Sequence, residues 1–367
     1  MAGRKLTVVI SQAPGKNPVK RQLEEEIATR LMLSGTAEVS IVPHLYDLTA
    51  DHTGMLWLKS LKGDLVVLGW LYPRAIRWVL DRNGVKGKEA ESKLNLADSD
   101  DQDEEQEAIE ADAPQGIGAV NVPNRLIYAI DLRNDPNPQT YLDEIKRLAE
   151  VVSVPLVQLS GLFGSSAPTN GFHSAPAPAS RPTNGVSSHH AAVTPAEPTS
   201  NGAAASMPPT APVVIEGTDV RRRWYPVIDY SRCTNCMECL DFCLFGVYGV
   251  DLLDRILVEQ EDNCKKGCPA CSRVCPANAI VFPEHKTPAI AGAAGGAVED
   301  FKIDLSKLFG APSALEMAVL ERDVELVADG RTAVGTAVGL PKRQSGSSEK
   351  PRDALDDLMD GLDSLDL

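Results

Sequence analysis

Over the first 150 residues, short apolar runs alternate with longer stretches of helical spacing. Leu6 to Ile10, Ala37 to Val42, Leu65 to Trp70 and Leu126 to Leu132 have the length and composition of buried strands. Between them, Pro18 to Leu33 sets Leu23, Ile27 and Leu31 on one helical face. Leu56 to Leu61 predicts a short helix, Pro73 to Arg82 another that stops at Gly84, and Pro138 to Val151 a fourth. Strands that alternate with helices predict a parallel sheet with helices on its faces. The expectation for residues 1–160 is a small open parallel α/β sheet domain, interrupted by a disordered acidic insertion near 89–118.

The pattern then stops. From Gly164 to Pro212 the chain is built from Ala, Pro, Ser, Thr, Asn and Gly and cannot bury enough surface to offset its ordering entropy. Residues 161–216 therefore read as a disordered linker, a tether whose flanking domains need not touch. His173, His189 and His190 lie within it as solvated side chains. Residues 217–286 form a second, cysteine-bearing domain, and 287–340 a spacer with a small helical extension near Ser313 to Val327. Residues 341–367 form an acidic tail in which Leu355, Leu358, Leu362 and Leu365 recur at helical spacing. That tail reads as a solvated segment or as a docking helix for a partner's groove.

The formal net charge of -15 changes the picture only locally. Ala97 to Ala113 holds nine acidic residues and no base, and Arg352 to Leu367 holds six Asp and one Arg, so the remainder is close to neutral. No cluster of Lys and Arg offers the counterion release of a nucleic-acid binder. The longest apolar strand run, Leu65 to Tyr72, falls far short of the ~20 residues of a membrane span. The first ten residues run straight into a strand pattern without a signal-peptide core. The expected location is cytoplasmic.

The chemistry lies in the cysteines. All eight fall between positions 233 and 275, as Cys233-x2-Cys236-x2-Cys239-x3-Cys243 and Cys264-x3-Cys268-x2-Cys271-x3-Cys275-Pro276. The last three of each run are separated by one constant offset of 32 residues, so the region is an internal duplication. Two structural zinc sites could be assembled from such pairs, but they leave the duplicated triple spacing unexplained. Disulfides do not suit a reducing compartment.

These two runs resemble the bacterial-type two-cluster ferredoxin domain, over about Tyr225 to Pro283. The resemblance implies a ferredoxin-like fold, so that the whole chain is α/β plus α+β. It implies two [4Fe-4S] clusters, with the fourth cysteine of each run ligating the other run's cluster. Carried over, Cys233, Cys236, Cys239 and Cys275 hold cluster 1, and Cys264, Cys268, Cys271 and Cys243 hold cluster 2. Two departures stand out: a third intervening residue in Lys265-Lys266-Gly267, and Leu244 where the family has proline. Gly267 can absorb the extra residue. Lys265 and Lys266 place positive charge beside one cluster. Tyr230, Phe242, Phe245, Tyr248, Ile256, Ile280 and Phe282 are expected to enclose the site.

Ligands of open α/β sheets bind outside the carboxyl ends of the strands. There the sequence offers Ser11, Gln12, Trp70, Arg74, Asp131 and Arg133 as cofactor-binding candidates, with Tyr72, Arg77 and the amides after Gly15 and Lys16 nearby. No glycine-rich dinucleotide fingerprint or phosphate loop accompanies them. His44, Asp47, Asp51 and His52 could form a metal cluster but read as scattered loop polar residues. Trp57, Trp70 and Trp78 read as core or interface residues. The expected function is an iron-sulfur electron-transfer protein or subunit that relays single electrons to or from a redox partner protein. One alternative is an oxidoreductase whose α/β domain binds a substrate or cofactor and is fed by the clusters. The other is a non-redox scaffold with structural metal sites.

Overall fold

Six strands, β1 (Leu6–Ser11), β2 (Ala37–Val42), β3 (Leu65–Gly69), β4 (Lys88–Ala90), β5 (Leu126–Asp131) and β6 (Val213–Val214), form one sheet. Its order is β4-β5-β3-β1-β2-β6, and every pair is parallel. The computed structural model describes residues 6–96, 116–153, 213–215, 220–293 and 312–339. The described elements fall in one compact unit; residues 154–210 make up another, which lies outside the described residues.

The central strand β3 is buried along its whole length, which is why it reads as an unbroken apolar run, LVVLG. Along β1 and β3 alternate residues feed opposite faces. Val8, Ile10, Val66 and Leu68 meet the first helix, α1 (Pro18–Ser34), and the later helix α5 (Pro138–Ser153). Val9, Leu65 and Val67 meet α2 (Thr53–Ser60) and α3 (Pro73–Arg82). Helix α1 begins where the Asn17 side chain accepts the amides of Val19 and Lys20, ahead of Pro18. It ends at Gly35, in left-handed conformation. Helix α2 starts three residues earlier than the sequence pattern suggests, because His52 Nδ1 accepts the Gly54 amide and caps it.

The insertion is ordered at both ends. Lys88–Ala90 pairs with β5 as an edge strand, and the short helix α4 (Lys93–Leu96) follows it. At the far end, the amides of Gly116, Ile117 and Gly118 donate to the carbonyls of Ser231, Cys233 and Tyr230. The acidic run between lies outside the described residues, as does nearly all of the linker. The linker's expected end at 216 is corrected, however: Val213–Val214 joins the sheet beside β2, and the Ile215 amide donates to Ile41.

The cysteine-bearing segment repeats one unit twice. The first copy runs β7 (Val227–Ile228), cysteine loop, α6 (Glu238–Phe242), β8 (Tyr248–Val250); the second runs β9 (Ile256–Val258), cysteine loop, α7 (Ala270–Val274), β10 (Ile280–Val281). β7 pairs with β10 and β8 with β9, both antiparallel, so each copy completes the other's sheet. Among the described residues the helices α8 (Pro288–Ala291) and α9 (Ala314–Ala328) follow. A capping box between Ser313 and Glu316 starts α9, and Ala318 and Val319 pack it onto Phe242, Ala270 and Val274.

The two halves, which the tether does not require to touch, pack against each other. Tyr225, Val227 and Val281 share a buried core with α2, α3 and one face of the sheet. Tyr46 and Tyr225 exchange three hydrogen bonds across the join, hydroxyl to Tyr225 carbonyl, Tyr225 amide to hydroxyl, and Tyr225 hydroxyl to Tyr46 carbonyl. Their rings stack 4.4 Å apart. Arg74 Nε donates to Asp229 Oδ2 at 2.5 Å, and the same guanidinium reaches the Asn278 carbonyl. Composition identified a segment that cannot fold alone, but it carried no information about what the segments on either side of it bury against one another.

Candidate metal centres

The eight cysteines line two cavities, four and four. Cys233, Cys236, Cys239 and Cys275 face one, with Ile228, Ile256, Ala279 and Ile280 among its walls. Cys243, Cys264, Cys268 and Cys271 face the other, with Phe242, Phe245, Val247, Tyr248 and Arg322. The last cysteine of each run therefore crosses to the other run's cavity. Local structure produces the crossing. The first three cysteines of each run lie on the loop and the following one-turn helix, whereas Cys243 and Cys275 cap the C-terminal ends of α6 and α7 in extended conformation. Asn235 and Met237 take left-handed backbone in the first loop. In the second, Gly267 at φ +92° absorbs the extra residue.

None of the eight forms a disulfide. A tetrahedral zinc ion with bonds of ~2.3 Å would hold its sulfurs roughly 3.8 Å apart. Among the described residues no three cysteine sulfurs come within 4.8 Å of one another. Four thiols converging on each cavity form a donor set that could hold a polynuclear group. Burial pushes the thiols up, strongly for Cys239 and Cys271 and to about 11 for Cys275 and about 12 for Cys268. Neighbouring cysteines add to the rise within the same two sets: Cys275, Cys233 and Cys236 around Cys239, and Cys243, Cys264 and Cys268 around Cys271. Thiolates there need a cationic partner, so the donor set fits iron-sulfur ligation. The Ala279 amide donates to Cys275 Sγ at 3.2 Å, and buried Phe242, Tyr248, Ile256, Ile280 and Phe282 keep water from the sulfurs.

The sheet's candidates are scattered among partners within the chain. Ser11 Oγ accepts the Leu45 amide, and the Gln12 carbonyl faces His44 Nδ1 at 3.1 Å. Trp70 Nε1 donates to Glu24, a buried carboxylate that also accepts the Ala13 amide and pairs with Arg21 at the switch point between β1 and β3. Arg133 grips the carboxylate of Asp131 and lies over the Tyr72 ring. Arg74 is directed to Asp229 in the cysteine-bearing half and not to the strand ends, and Arg77 donates to the Gly87 carbonyl and pairs with Asp81. Trp57, Trp70 and Trp78 are core-packed, Trp78 edge-on to Tyr230. Of the loop polar residues, His44 and Asp47 come together, joined by Glu284, while His52 is a helix cap.

No family model and no solved structure matches the chain. Two proteins of Methanocaldococcus jannaschii share a stretch of the size of the cysteine-bearing segment. An uncharacterized ferredoxin is 46% identical over 66 residues, 18% of this chain and 44% of that protein. Pyruvate synthase subunit PorD is 35% identical over 63 residues, 17% of this chain and 71% of that subunit. Through this segment the chain belongs to the ferredoxin family. The chain spans less than half the length of the first of these relatives. Among the described residues no helix is long and apolar enough to cross a membrane.

The structure adds one residue to the ferredoxin domain that the cysteine spacing did not reveal. Arg322, on α9, is 1% exposed, lines the second cavity and lies over the Phe242 ring. Asp323 and the carbonyls of Gly335 and Val338 hold its guanidinium. The sequence predicted a helix near Ser313 to Val327 without placing it on either half; packing onto Phe242, Ala270 and Val274 puts it beside the ferredoxin domain. The charge expected from Lys265 is offset by its ion pair with Asp329 at 2.6 Å.

Proposed function

We propose that the ferredoxin domain holds two [4Fe-4S] clusters and relays single electrons between redox partner proteins. Cys233, Cys236, Cys239 and Cys275 are the ligands of one, and Cys243, Cys264, Cys268 and Cys271 of the other. The observation that carries this reading is the four-and-four division of the cysteines between two cavities, with the fourth of each run crossing over. Such clusters, when bound, supply a one-electron couple whose potential follows burial, nearby charge and hydrogen bonds to sulfur. The chain's own part is to seat the thiolates on two pseudo-equivalent loops, exclude water with Phe242, Ile256, Ile280 and Phe282, and set the local field through Arg322 and the Ala279 amide.

The likeness to a pyruvate synthase subunit supports a partner that is itself an oxidoreductase, with this chain as its electron-carrying component. The sheet then serves as the rigid body that presents the ferredoxin domain. An anaerobic reductive titration followed by electron paramagnetic resonance, with iron and sulfide counted on the same sample, tests the proposal. About eight of each per chain are expected. Cys275→Ser should impair the site formed by the first run and Cys243→Ser that formed by the second. Loss confined to each residue's own run, or iron content unchanged on substituting Cys239 and Cys271 together, would refute it.

A further inference from the structure

At the join between the sheet and the ferredoxin domain, His44, Asp47 and Glu284 turn one ligand atom each toward a common point, all within 4.8 Å of one another. His44 and Asp47 flank the turn after β2, and Glu284 follows β10, so the three come from opposite sides of the join. The His44 side chain is 4% exposed. Its Nδ1 faces the Gln12 carbonyl, which can only accept, so Nδ1 carries a proton and Nε2 is the atom that points inward. Nε2 lies 3.2 Å from Glu284 Oε1, within ion-pair distance, yet the direction is not that of a hydrogen bond, and both buried atoms are without a hydrogen-bond partner. A lone pair facing a carboxylate oxygen at that distance is repulsive unless a cation stands between them. An imidazolium proton would do so along a straight N–H···O line, which is not the arrangement present.

From this geometry we propose that His44, Asp47 and Glu284 bind a divalent transition-metal ion that clasps the sheet to the ferredoxin domain. One imidazole and two carboxylates form a mixed nitrogen and oxygen set suited to zinc, iron(II) or manganese(II). The Nδ1 hydrogen bond to a backbone carbonyl is the outer contact that orients metal-binding imidazoles. Asp47 uses its other oxygen to accept the Arg223 amide at 2.9 Å, which fixes the carboxylate's direction. Arg222 competes for the same charge: it donates to Glu284 Oε2 at 2.6 Å and approaches Asp47 Oδ2 at 3.9 Å, but its side chain is 47% exposed and can swing into solvent. This site is independent of the clusters, because none of its residues lines either cysteine cavity.

The test is calorimetric titration of zinc(II) into the full chain with its clusters intact, after washing with a chelator, alongside zinc, iron and sulfide analysis. About one equivalent of zinc should bind. Glu284→Gln and His44→Gln should each weaken binding at least tenfold with iron and sulfide unchanged, while Arg222→Ala should tighten it. Glu284 lies at the edge of the join, so its variant provides the comparison should the His44 variant fold poorly. No saturable zinc or manganese uptake by the wild-type chain would overturn the proposal, as would uptake undiminished in Glu284→Gln.

Discussion

Replacing Arg74 with Met should loosen the join while keeping its apolar stem. The Asp229 side chain is 2% exposed and Arg74's 10%, so the pair is buried on both sides. Removing one partner of a buried pair costs about 3–5 kcal/mol, because the remaining charge is left uncompensated. Asp229 would still accept the Ser231 amide at 2.9 Å and the Ser231 hydroxyl at 2.5 Å, with Arg232 at 3.7 Å. The cost should therefore fall near the lower bound, about 3 kcal/mol. With a urea dependence of about 3 kcal/mol/M for a protein of this size, the midpoint should drop by about 1 M. The assay is anaerobic urea unfolding, read at once by far-ultraviolet circular dichroism and visible absorbance. Asp229→Asn in the Arg74→Met background should add much less than it does alone. A midpoint shift below ~0.2 M, or strict additivity of the two substitutions, would refute the argument that this pair holds the halves together.

Arg322→Met should lower the potential of the cluster proposed for the second cavity, on the order of tens of millivolts, since a buried cation no longer favours the added electron; a redox titration by electron paramagnetic resonance reads this. Glu144 is buried, which raises its pKa, but hydrogen bonds from Arg147, Ser92 and Lys93 outweigh that and hold it below the ordinary carboxylate value. Its contribution is present above the unfolded pKa and lost as pH falls through the folded one. Glu144→Gln should thus cost about 1 kcal/mol at neutral pH, with the difference vanishing in acid when melting is followed by circular dichroism. Burial pushes Tyr225 up to about 12, so the folded state favours the protonated phenol. That part of the stability is complete below the ordinary tyrosine pKa and declines as pH rises toward 12, and a phenolate absorbance titration should show several tyrosines, Tyr225 with Tyr46, Tyr141, Tyr230 and Tyr248, resisting ionisation until the fold opens, with one fewer in Tyr225→Phe.

Elements with strong local signals were legible. β3 reads as a buried strand because its residues are apolar on both faces, and α1 as a helix because Leu23, Ile27 and Leu31 recur on one face. The duplicated cysteine spacing marked the two loops, because short gaps keep three thiols on one loop and the helix that follows it. Pairings set by long-range packing were not legible. The edge strands Lys88–Ala90 and Val213–Val214 are too short to carry a period, and they exist only because β5 and β2 offer unpaired backbone. Glu284 lies 240 residues from His44, so no spacing rule links them. Arg74 sits where an anion-binding residue would, on the helix after β3, and nothing local to it distinguishes a ligand contact from a buried ion pair.

The crossing of Cys243 and Cys275 has a consequence for how the ferredoxin domain comes into being. Each cavity lacks a cysteine until the other run is in place, so a chain released or cleaved between Asn263 and Cys264 keeps three of the first cavity's four sulfurs and one of the second's. Neither piece of such a cut carries all four sulfurs of either cavity. During synthesis the second cavity's four cysteines are all present only at Cys271 and the first's only at Cys275. On the proposed ligation neither cluster could be fully held before the second run is made, so oxidants met before then would threaten the thiols of both sites.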